Sequence, residues 1–125
     1  MSLIDLIPGD RISGVKFSKI SSEILEAIKP EKVQIPEWFA QLELRTKQEI
    51  LDLLRIDLQD RYYILYNHPV NNQENRLYLS QKDMLLQFID SCFDEEHGDG
   101  IDVIISDESY KRLIIGNHDG MLMLA

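Results

Sequence analysis

The tightest constraint on this chain lies near its C-terminus, where three short apolar runs follow one another with little chain between them. Ile101–Ile105, Arg112–Ile115 and Met121–Leu124 are separated only by residues 106–111 and 116–120. A parallel strand pair needs a crossover of about a dozen residues or more, so these runs are expected to pair antiparallel. Asp119 followed by Gly120 favours a tight turn, because Gly accepts positive φ and Asp hydrogen-bonds its own backbone. A C-terminal hairpin is the expected outcome of this pattern.

Upstream the periodicity changes from two residues to helical spacing. Ser21 or Ser22 can cap a short helix that runs to about Ile28, with Ile24, Leu25 and Ile28 on one face and Pro30 beyond it. After Lys32–Ile35, Pro36 suits a first helical position, so residues 36–42 read as a short helix burying Trp38 and Phe39. Thr46 and Glu49 have capping-box spacing, and Ile50, Leu53, Leu54 and Leu58 recur on one side after them. Arg61–Asn67 and Leu77–Leu79, rich in aromatic and β-favouring residues, read as a hairpin across a polar loop. Ser80 with Asp83 is expected to open a further helix carrying Met84, Leu85, Phe88, Ile89 and Cys92 on one stripe. The expected fold is a single α+β domain over residues 1–125, with N-terminal helices on one face of a mainly antiparallel sheet of about five strands.

A chain of 125 residues, 44% of them hydrophobic, suffices for one core without disulfides or a structural metal. The single cysteine, Cys92, has no partner in the chain, which favours a reducing, cytoplasmic setting. Met1–Asp10 has no basic, apolar signal-peptide pattern, and no apolar stretch of about 18 residues marks a membrane span.

Charge narrows the function. Thirteen Lys and Arg against 22 Asp and Glu give a net charge of −9, which argues against nucleic acid as a ligand. Before residue 61 there are 8 basic and 11 acidic residues, and from there on 5 and 11. Between Asp90 and Tyr110 lie Asp90, Asp94, Glu95, Glu96, Asp99, Asp102, Asp107 and Glu108, with no Lys or Arg. This acidic stretch, and within it Asp90, Asp94, Glu95, Glu96, Asp99, Asp107 and Glu108, is the candidate partner-binding surface.

The residue types for chemistry are present without the required spacing. Counting an EF-hand loop from Asp94 puts Gly98 at position 5 and Asp99 at position 6, where the pattern needs an oxygen ligand and a glycine. His118 and Asp119 are adjacent, as in some metal-dependent phosphohydrolases, but they fall in an expected hairpin turn chosen for backbone reasons. Cys92 belongs to an apolar stripe and reads as a small buried hydrophobe. No phosphate-binding glycine loop and no nucleophile-elbow motif occurs, so no catalytic residue, metal ligand or cofactor is expected. Four tyrosines, Tyr62, Tyr63, Tyr66 and Tyr78, cluster in the first hairpin, and tyrosine suits contact surfaces as well as sheet packing.

In size, acidity and element order, and in the tail from Asp102 to Gly120, the chain resembles the small bacterial immunity proteins that neutralise toxic nucleases of competing cells. The resemblance covers the last quarter of the chain. It implies a cytoplasmic inhibitor without catalytic residues, whose acidic surface covers the basic active site of its partner by protein–protein contact. The chain itself is expected to be a monomer or a homodimer. Two other classes are weighed against it. One is a metal-dependent enzyme using His97, Asp99, His118 and Asp119. The other is a self-assembling regulatory module that pairs copies through an exposed strand near Met121–Ala125.

Overall fold

The computed structural model describes residues 3–28, 43–68 and 70–124. The expected helix over residues 36–42, with Trp38 and Phe39, and the segment Lys32–Ile35 lie outside them.

Seven strands form one sheet in which every pairing is antiparallel. They are β1 (Asp10–Ile12), β2 (Glu43–Arg45), β3 (Arg61–Tyr66), β4 (Arg76–Gln81), β5 (Val103–Asp107), β6 (Leu113–Gly116) and β7 (Leu122–Leu124). Their order across the sheet is β1-β4-β3-β5-β6-β7-β2. The helices are α1 (Gly14–Ile28), α2 (Lys47–Ile56) and α3 (Lys82–Cys92). The α+β class and the two hairpins agree with expectation. The two strands beyond the expected five are β1 and β2, three-residue edge strands too short to display an alternation.

The helices do not share one face. Along β3, Tyr62 and Ile64 point into a core with Ile50, Leu51 and Leu54 of α2 and Leu85, Phe88 and Ile89 of α3. The alternate residues, Tyr63 and Leu65, point into a second core with Ile24 and Ile28 of α1, joined by Leu77, Ile104 and Leu113. A central strand with both faces buried reads as a near-continuous apolar run, which hides the second layer from any reading of alternation. The sheet is therefore sandwiched, with α1 on one side and α2 and α3 on the other.

Helix boundaries obey local chemistry. α1 begins seven residues before Ser21, at Gly14, because Phe17 and Ile20 continue the inward stripe of Ile24 and Ile28. Ser21 lies on that inward face, buried with its hydroxyl unpartnered, and cannot cap. α2 starts on the expected capping box: Thr46 Oγ1 accepts the Glu49 N–H at 3.1 Å, and Glu49 Oε1 accepts the Thr46 N–H at 3.2 Å. It ends at Ile56, leaving Leu58 93% exposed rather than on the stripe. Ser80 does not cap α3. It is buried within β4, donates to the Gln81 carbonyl, and leaves Gln81 as a cap residue without a side-chain bond.

β7 is not an edge. It pairs with β6 on one side and with β2 on the other, so the strand offered for self-assembly is already covered. No helix among the described residues is long and apolar enough to cross a membrane.

Candidate interaction surface

The acidic stretch splits into three parts as the chain leaves α3. Phe93 ends the helix, its N–H bonded to the Ile89 carbonyl at 3.3 Å and its ring buried edge-on against Phe88. Asp94 and Asp99 then pair across a tight turn, N–H to carbonyl at 2.8 and 2.9 Å. Glu95, Glu96, His97 and Gly98 form its exposed tip. The Asp94 carboxylate turns inward onto that tip, accepting the His97 N–H at 3.3 Å and contacting His97 Nδ1 at 2.6 Å. The His97 ring hydrogen bond is the main cause that holds the Asp94 carboxyl below its ordinary pKa.

The β6–β7 turn supports this loop from beneath. Asn117 Oδ1 accepts the N–H groups of Asp119 and Met121, both at 3.0 Å. Gly120 sits at φ +85° so close to the acidic turn that a Cβ there would lie 2.5 Å from the Asp99 carbonyl oxygen. The two turns are thus packed backbone to backbone. Glu95, Glu96 and Asp99 project from this base, and none of them has a Lys, Arg or His within ion-pair distance among the described residues.

The other acids of the stretch are engaged elsewhere. Asp90, exposed on the last turn of α3, lies 3.8 Å from Lys47 Nζ, which also donates to its carbonyl at 3.0 Å. Asp107, at the far end of β5, is 2% exposed, and its carboxylate accepts the Ser109 hydroxyl and the N–H groups of Lys111 and Arg112. It closes the β5–β6 turn and offers nothing to a partner. Its neighbour Glu108 is held by Arg61 through two parallel hydrogen bonds of 3.0 and 3.1 Å. At roughly 3.3 Å per residue, β5 separates this pair from the acidic turn by about 13 Å.

The His118 side chain makes its principal contact away from the neighbour that adjacency points to. Its Nδ1 lies 3.1 Å from both carboxylate oxygens of Asp102, and its N–H donates to the same group at 3.2 Å, whereas Asp119 is 3.8 Å from Nε2. The Asp102 hydrogen bond and charge, followed by Asp119, raise the His118 pKa. The strand register carried the missing signal: Val103 pairs with Gly116, which sets Asp102 beside the start of the next turn. Beside this pair, a groove of about 270 Å³ opens between Leu3, Ile4, Tyr66, Ile101, Asp102 and His118.

The residues that a catalytic reading needs stay apart. His97 pairs with Asp94 and His118 with Asp102, and no group of three or more His, Cys, Asp or Glu among the described residues could hold a metal ion. Cys92 is 3% exposed on α3, and burial pushes its thiol pKa up. The tyrosines of the first hairpin pack on both sheet faces, with Tyr63 stacked on Tyr110 at 6.3 Å between ring centres.

No protein family, curated protein or solved structure matches this chain.

Proposed function

We propose that this chain is a non-catalytic binding protein of the immunity type, a cytoplasmic inhibitor that covers the basic active site of a nuclease-like toxin. The supporting observation is the acidic turn: Glu95, Glu96 and Asp99 stand exposed, with no Lys, Arg or His within ion-pair distance among the described residues, on a backbone held from below by the β6–β7 turn. A site that binds phosphates presents Lys and Arg, and a complementary negative patch raises the association rate and disfavours other partners. Because the turn is already ordered by the Asp94–Asp99 pairing, little conformational entropy is lost when it docks. The proposed surface narrows to Glu95, Glu96 and Asp99, since the Asp94 carboxylate is held by His97. Asp107 and Glu108 act within the fold, and Asp90 is tied to Lys47.

The test is charge reversal. Glu95→Lys, Glu96→Lys and Asp99→Lys together are expected to slow association with the toxin and flatten its salt dependence, read by stopped-flow or surface-based kinetics at several ionic strengths. An unchanged association rate removes the acidic turn from the interface.

A further inference from the structure

Next to the acidic turn the chain builds a recess unlike the rest of the patch. Gly100 and Ile101 continue directly from Asp99 into one wall, Leu3 and Ile4 form another, and Tyr66 and the Asp102–His118 pair complete it. Asp102 is only 22% exposed at its side chain, so its carboxylate is partly desolvated. The Tyr66 ring is braced by His68, packed edge-on at 6.0 Å. A partly dry carboxylate beside apolar walls and an aromatic ring suits a cation with a long apolar stem.

We infer that this groove seats an arginine side chain of the basic partner, with the guanidinium on Asp102 and against Tyr66 and the methylene stem along Leu3, Ile4 and Ile101. The inference rests on the immunity-type reading, whose partner supplies the arginine. Charge complementarity selects the occupant. Among the described residues, the groups that bear on the recess are Asp102 before β5, Asp119 in the β6–β7 turn, His68 edge-on to Tyr66, and Glu74 and Arg76 near Tyr66. Arg76 lies among Tyr78, Asp5 and Glu74 as well as near Tyr66. Arginine fits better than lysine because its planar guanidinium stacks on an aromatic ring, is weakly hydrated and can bond a carboxylate at two points.

His118 sets the terms of entry. Ionised Asp102 can only accept, so the proton of a neutral His118 sits on Nδ1, and the carboxylate keeps lone pairs for a second donor. When the imidazole is protonated, a full cation already neutralises Asp102, and an incoming guanidinium gains less. Arginine binding therefore weakens as the pH falls through the raised His118 titration.

The experiment uses N-acetyl-arginine amide as the probe, with the lysine and citrulline analogues beside it, in ¹H–¹⁵N NMR titrations of the whole chain at low salt. The expected result is saturable shifts at Tyr66, Gly100–Asp102 and His118 with arginine, at least about tenfold weaker binding with lysine, and none with citrulline. Asp102→Asn abolishes the arginine response while its spectrum stays dispersed. In the native chain the arginine response weakens on acidification in step with protonation of the His118 ring, followed by its own imidazole signals. Equal responses to lysine and arginine, shifts confined to Glu95–Asp99, or a response that survives in Asp102→Asn overturn the inference. The probe needs no toxin, so its failure leaves the acidic turn's charge-reversal test standing, and failure of that test leaves the groove's own result readable.

Discussion

Asp94 and Asp99 exchange both backbone hydrogen bonds, 2.8 and 2.9 Å, and Gly120 of the next turn lies against that pair. The acidic turn is consequently part of the folded core's scaffold, although the side chains of Glu95, Glu96 and Asp99 are exposed. Gly120→Ala places a Cβ 2.5 Å from the Asp99 oxygen and forces a side chain onto φ +85°. It is expected to cost more than about 2 kcal/mol in urea unfolding. Gly98→Ala, at φ +68° but with nothing within 4 Å, is expected to cost only about 1 kcal/mol.

Asp107 separates structural acidity from acidity available for binding. Its buried carboxylate accepts three hydrogen bonds from the β5–β6 turn. Asp107→Ala strands those donors and is expected to destabilise by about 2–4 kcal/mol by chemical denaturation. Glu95→Ala, on the exposed tip, is expected to stay within about 0.5 kcal/mol of the native chain in the same measurement.

Asp57, which caps the end of α2, carries a pH-dependent share of the stability. Burial pushes its carboxyl up, but hydrogen bonds from the Gln59 N–H and Arg112, with the Tyr62 hydroxyl close by, more than offset this and leave it below its ordinary value. A group with a depressed native pKa binds more protons when unfolded. Its stabilisation is thus complete above the unfolded value, near pH 4, and is lost as the pH falls through the lower native one. Asp57→Asn is expected to lower stability at neutral pH and to flatten the fall in stability below about pH 4, in urea melts across an acid series.

Legibility in the sequence depended on whether the governing contact was local. The Thr46–Glu49 capping box, the Asp119–Gly120 turn and the three C-terminal strands rest on neighbouring residues, and each stands where local chemistry puts it. The placement of α1 on the opposite sheet face did not show, because β3 is buried on both sides and its sequence does not alternate in polarity. The sorting of the acids was hidden for a related reason. Asp107 and Glu95 are alike in composition, and only the turn around Lys111 and Arg112 makes the first a structural acceptor. The Asp102–His118 pair, 16 residues apart in sequence, required the β5–β6 register.

The measurement that bears most directly on the central claim is affinity capture from lysate of the source organism, with the native chain and the Glu95→Lys, Glu96→Lys, Asp99→Lys variant side by side at low and high salt. The immunity-type reading predicts that the native chain retains a basic protein with nuclease activity, releases it at high salt, and loses it in the variant. Retention of the same protein by both chains at both salt concentrations, or recovery of only small molecules or further copies of the chain itself, would contradict it.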